Sequence, residues 1–194
     1  MCIRDRIGMM DPHYTSMEDY VDVEALNAYD ALIKKGISEK EAFEIVQSKA
    51  RDNSRVPMHW DSSKYAGFST HKPWLMPTDQ EKINVEKELH DGEIFSFYQK
   101  LIKLRKTEKL ISEGHIKPFL MEHPQVMAYE RYLDDSNEKI LVFANFYGKD
   151  TEVKVPVSYL NKAGQILIQN YDENLVSLPS LLQLKPYEAL AIKF

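Results

Sequence analysis

Cysteine is nearly missing from this chain of 194 residues, where Cys2 stands alone. An internal disulfide is thereby excluded, and with no Asn-x-Ser/Thr glycosylation sequon present the expected setting is a reducing cytoplasm. No apolar run approaches the roughly 18 residues needed to span a bilayer, so no membrane partner is expected. Basic runs are missing too. Lys plus Arg number 25 against 30 Asp plus Glu, a net charge of −5, which argues against nucleic acid and anionic lipid as partners. What remains, 43% hydrophobic and 28% charged residues, is the composition of a globular chain with one core or two small ones.

Two kinds of site lack candidates. His59 and His71 have no ligand-like spacing with a cysteine or an acidic cluster, so no metal ligand and no cofactor is expected. No pair of carboxylates stands out as nucleophile and general acid. The densest chemistry lies between Lys49 and Trp60, where Arg51 and Arg55 stay charged at any working pH and offer planar forks suited to a sugar hydroxyl or a carboxylate. Asp52 is their obvious local partner, and Val56-Pro57 turns the chain out of helix. By spacing alone, this cluster reads as a self-satisfying salt-bridge and turn network.

Around it, the pattern predicts a loop over residues 11–21 and then a helical hairpin. Val23, Leu26, Ala31 and Leu32 form the stripe of its first helix, with Asp22 at the positive end of the dipole and Gly36 as the stop. Ser38 caps the second helix, Glu41 completes a capping box, and Phe43, Ile45 and Val46 are buried along it. A Pro-rich aromatic connector follows, whose rings, Tyr65, Phe68 and Trp74 among them, suit either stacking on sugars or anchoring the loop, with anchoring favoured for Trp74. Asp91 caps a helix whose apolar stripe is Ile94, Phe95, Tyr98, Leu101 and Ile102. Beyond Leu110 the period becomes two, which predicts strands at 116–121, 126–132, 139–146, 152–155, 165–169 and 187–194, arranged as a small antiparallel β-sandwich.

Arg51-Asp52-Asn53-Ser54-Arg55, followed by Pro57-Met58, Trp60-Asp61 and Ala66-Gly67-Phe68, resembles the late signature of bacterial α-glucosidases of the α-amylase superfamily, glycoside hydrolase family 13. The likeness runs from Ile7 to Phe194. It implies an α+β chain: the final helical part of a (β/α)8 TIM barrel, then a small antiparallel β-sandwich C-terminal domain. Residues 1–6 would be a non-native N-terminus, 7–109 the end of the catalytic barrel (loop, helical hairpin, active-site loop and last barrel helix), and 110–194 the β-sandwich domain.

The same resemblance assigns roles. Arg51 matches the arginine that hydrogen-bonds the outer hydroxyl of the non-reducing glucose. Glu24, in Asp22-Val23-Glu24-Ala25-Leu26-Asn27, matches a glutamate on the aglycone side, while Asp52 and Arg55 would support the loop. The nucleophile and acid/base of a retaining glycosidase, about 5 Å apart, would lie upstream of Ile7, so this chain holds no catalytic residue and is expected to be inactive alone. Val56 and His59 stand where threonine and glutamine are usual, a departure that bears on subgroup more than family. Pro12-His13-Tyr14, Asp22-Val23-Glu24, Ser48-Lys49 and Asn170-Tyr171-Asp172-Glu173 point toward hydrolysis of trehalose 6-phosphate, with isomaltose-type oligosaccharides as the alternative. The expected partners are a small-molecule glucoside and the missing N-terminal barrel. From another class, a non-catalytic transporter heavy chain would show a membrane helix, and a carbohydrate-binding module would show an exposed aromatic platform on the β-domain.

Overall fold

The computed structural model describes residues 7–171 and 177–194. The expectations for residues 1–6, and for Asp172 and Glu173, lie outside the described residues. The chain forms two compact units, Met1–Tyr98 and Gln99–Phe194.

The first unit is helical. Ser16 opens a 3-10 turn at Met17–Asp19 through a capping box with Asp19, and the chain then enters a hairpin of α1 (Val23–Lys34) and α2 (Glu39–Gln47). Gly36 ends α1 in the left-handed region at φ 83°, where a residue without Cβ carries no steric penalty. Ser38 Oγ accepts the Glu41 N–H at 3.3 Å to start α2, without the reciprocal Glu41 bond expected of a full capping box. The predicted apolar stripe of α1 is corrected. Ala25 is its buried residue, whereas Val23 and Leu26 are exposed; on α2, Ala42 and Val46 are buried and Ile45 is exposed. Ala25 and Ala28 of α1 line a cleft together with Ile45 and Val46 of α2.

A short helix, α3 (Val85–His90), absent from the sequence expectation, precedes α4 (Glu93–Thr107). Asn84 caps α3 by accepting the Lys87 N–H at 2.9 Å, while Asp91 closes α3 and does not open α4. Glu88 accepts the Phe95 N–H at 3.1 Å and so takes the role expected of Asp91. Ile94, Leu101 and Ile102 on α4 are exposed. The core of this unit gathers Ile7, Met9, Tyr14, Tyr20, Val56 and Leu75, with Phe43, Met58 and Phe95 packed on it.

Among the described residues the second unit carries α5 (Lys109–Ser112) and seven strands: β1 (His115–Phe119), β2 (Val126–Tyr132), β3 (Lys139–Asn145), β4 (Thr151–Lys154), β5 (Gln165–Gln169), β6 (Leu181–Leu184) and β7 (Ala189–Lys193). Two antiparallel sheets result, one ordered β1-β2-β3-β7-β5 and one β4-β6. Strand periodicity decides the layers. Leu141 and Phe143 on β3 and Leu190 and Ile192 on β7 meet Val153, Leu182 and Leu184 of the small sheet, while Ile140 and Ala191 face Leu110 of α5 on the opposite side. This is the expected sandwich. Arg131 donates to the carbonyls of Leu110 and Ile111 at 3.0 and 2.5 Å, satisfying the end of α5.

Candidate functional site

Residues 51–54 form a single 3-10 turn leading out of the α1–α2 hairpin. Asp52 is its anchor. Fully buried, its Oδ2 accepts the backbone N–H groups of Val21 and Asp22, both at 2.8 Å, which pins the start of α1 to the turn. Its Oδ1 makes no hydrogen bond among the described residues and faces the Arg55 guanidinium at 3.8 Å. Asn53 extends the network by donating to the Gln47 carbonyl at 2.6 Å and accepting the Tyr20 hydroxyl at 3.4 Å. Gln47 donates in turn to the Tyr14 carbonyl at 2.8 Å. Burial, with Asp19, Asp52 and Tyr20 nearby, pushes the Tyr14 hydroxyl up to about 12, so it stays protonated and donates to the Met76 carbonyl at 2.9 Å. Tyr14 and Tyr20 meet edge to face at 5.3 Å.

With Asp52 facing inward, Arg51 turns outward. Its partner is not the neighbouring Asp52, as sequence proximity suggested, but Asp22: Nε donates to Oδ2 and Nη2 to Oδ1, each at 3.2 Å. Glu24 Oε2 lies 2.6 Å from the same Nη2. These hydrogen bonds to Asp22, the Asp22 and Glu24 charges and a weaker contribution from Asp52 hold the guanidinium proton more tightly than usual, so Arg51 is a fixed cation. Its Nη1 has no hydrogen-bond partner among the described residues, and the side chain is 56% exposed. Arg51 and Glu24, assigned from sequence as substrate-binding residues, thus come together, and both line a cleft of about 230 Å³ with Asp22, Ala28, Leu32 and Lys49.

Asp22 is the residue that sequence reasoning missed. It was read as a dipole partner for α1, yet it makes no side-chain cap and gives both oxygens to Arg51, with Arg55 Nη1 at 3.9 Å. The signal available was the i, i+2 acidic pair Asp22 and Glu24 opposite two arginines.

The aromatic connector departs from expectation. Trp74, expected as an anchor, is 71% exposed, and Leu75 beside it is the fully buried residue. Tyr65 is half-buried and Phe68 exposed. The His59 ring is buried, with Nδ1 2.9 Å from the Ile83 carbonyl, and no group of three His, Cys, Asp or Glu among the described residues is placed to hold a metal ion. No helix among those residues is long and apolar enough to cross a membrane.

Comparison with known proteins agrees with this architecture. Residues 5–114 match the family described as alpha amylase, catalytic domain, and residues 126–190 match the alpha-amylase SusG C-terminal domain. The chain is 36% identical to trehalose-6-phosphate hydrolase of Bacillus subtilis over 193 residues, 97% of this chain and 34% of that protein. It is 35% identical to oligo-1,6-glucosidase of Halalkalibacterium halodurans, covering 95% of this chain and 33% of that one. The crystal structure of trehalose-6-phosphate hydrolase from Bacillus licheniformis superposes with a TM-score of 0.89 at 36% identity, over 98% of this chain and 34% of that one. The chain therefore spans about a third of the length of the curated relatives it matches.

Proposed function

The chain belongs to the alpha-amylase family, and from that premise we propose that it is the sugar-positioning and C-terminal part of a retaining α-glucosidase that hydrolyses trehalose 6-phosphate to glucose and glucose 6-phosphate. One observation carries the reading: Arg51 is clamped by Asp22 and Glu24 at the rim of a cleft with its Nη1 left for a ligand. Nη1 donates to the outer hydroxyl of the non-reducing glucose, and Glu24 borders the aglycone. Asp52 and Arg55 hold the turn that aims Arg51. Fixing one hydroxyl orients the ring, so that binding energy is realised at the anomeric carbon. Residues 7–109 complete a (β/α)8 catalytic domain and 110–194 form its β-domain, with the domain matches over 5–114 and 126–190 in support. Nucleophile and acid/base come from the part of the relatives' length that this chain does not match, and the reaction runs in the cytoplasm on a small glucoside.

A chimera tests this. When the chain replaces the matching third of the Bacillus subtilis enzyme, trehalose 6-phosphate should be hydrolysed, and Arg51→Ala should abolish most of the activity. The near-equal identity to oligo-1,6-glucosidases favours one second reading, cleavage of isomaltose-type sugars. Preference of the chimera for isomaltose over trehalose 6-phosphate would establish that one instead.

A further inference from the structure

Beneath the contact between Arg51 and Asp22, hydrogen bonds from Asp52 and Asn53 tie together the two segments that carry them. Both Asp52 bonds, to the Val21 and Asp22 N–H groups at 2.8 Å, end on one oxygen, Oδ2, which makes that oxygen a pivot. Asn53 supplies further points. Its Oδ1 accepts the Tyr20 hydroxyl at 3.4 Å, and its Nδ2 donates at 2.6 Å to the carbonyl of Gln47, the last residue of α2. Tyr20 and Asn53 are 3% and 8% exposed, so removal of either partner strands a polar group away from water.

The order of residues along the chain gives these bonds their leverage. Asn53 stands two positions after Arg51 in the same 3-10 turn, and Tyr20 two positions before Asp22. Among the described residues neither lines the cleft, so neither is placed to touch a sugar. Held at Asp52 alone, the turn could swing about Oδ2, and the guanidinium would then meet Asp22 at another angle and aim Nη1 elsewhere. The Gln47 carbonyl, on the second helix of the hairpin, blocks that swing through Asn53. We propose, on the reading of the Arg51 cleft given above, that Asn53 is a positioning residue for Arg51, with the Tyr20 hydroxyl as its support.

Two variants and two measurements test this. Asn53→Ser shortens the side chain, while the milder Tyr20→Phe removes only the hydroxyl and keeps its ring beside Tyr14 and Phe43, at 5.3 and 6.3 Å. Tyr20→Phe decides alone if Asn53→Ser does not fold. In the full chain, ¹⁵N relaxation at Arg51 Nε should give a lower order parameter in each variant than in the parent. In the chimera with the Bacillus subtilis enzyme, each should lower kcat/KM on trehalose 6-phosphate about tenfold, and neither should lower it further once Arg51→Ala is present. Effects that multiply with that of Arg51→Ala, or an unchanged order parameter at Nε, would overturn the proposal and leave the cleft reading standing. Parental activity in Arg51→Ala would overturn both, which separates the two failures.

Discussion

Arg51 and Asp22, 29 residues apart in sequence, make a two-point contact in which Nε and Nη2 each approach one carboxylate oxygen at 3.2 Å. A fork held at two points is restricted in rotation, so Asp22 biases the direction of the remaining Nη1. Arg51 and Asp22 therefore act as one device.

Arg51→Ala in an active chimera should lower kcat/KM by about two orders of magnitude, as for loss of one preorganised donor. Arg51→Lys should recover only a small part, because a point charge cannot meet Asp22 at two oxygens and still donate outward. Steady-state kinetics beside melting temperatures check this. Wild-type turnover in Arg51→Ala would return the pair to a purely structural role.

Asp52→Ala should be the most damaging change in the turn. It orphans the Val21 and Asp22 N–H groups and strips Arg55 of its buried counter-charge, for a loss of about 2 to 4 kcal/mol. Arg55→Ala should cost far less, since its ion pairs span 3.8 and 3.9 Å and the side chain is 42% exposed. Urea denaturation of both variants gives the comparison.

Gly67→Ala should destabilise more than Gly36→Ala. Both glycines have positive φ, 63° and 83°, so each substitution carries a conformational cost of about 1 kcal/mol. A Cβ at Gly36 meets nothing within 4 Å, whereas at Gly67 it would lie 2.5 Å from Asp61 Oδ2, and Asp61 is tied down by the Ser63 N–H at 2.8 Å. Equal melting temperatures for the two variants would contradict this.

Glu130 should contribute to acid sensitivity. Burial alone would push its carboxyl up, but the Tyr159 and Lys139 hydrogen bonds, with the Lys139 and Lys117 charges, outweigh that and hold it below its ordinary 4.5. A depressed folded value means the stabilisation is fully present above about 4.5 and is lost as pH falls through the lower folded value. Glu130→Gln should flatten this part of the stability profile between pH 5 and 3, a range measurable by melting temperature against pH. An unchanged profile would place the acid response elsewhere.

Local chemistry made part of the architecture readable from the sequence. The Ser38 cap, the Gly36 stop and the continuous apolar run from Ile140 to Ala144, covered on both faces, are written in adjacent residues, because capping and strand formation act over a few positions. The motif from Arg51 to Arg55 likewise marked a turn, formed over Arg51–Ser54. Tertiary structure decided the rest. Strand β6 is only Leu181 to Leu184, too short to declare a period, and becomes a strand because β4 pairs with it; β7 enters between β3 and β5, an order no local pattern encodes. Trp74 stays exposed while the smaller Leu75 is buried, since burial depends on what packs opposite a side chain and not on its size. The exchange of partners between Asp52 and Asp22 has the same cause. Once the backbone N–H groups of residues 21 and 22 claim the nearer carboxylate, Arg51 must find its counter-charge across the hairpin, and only the folded chain brings one there.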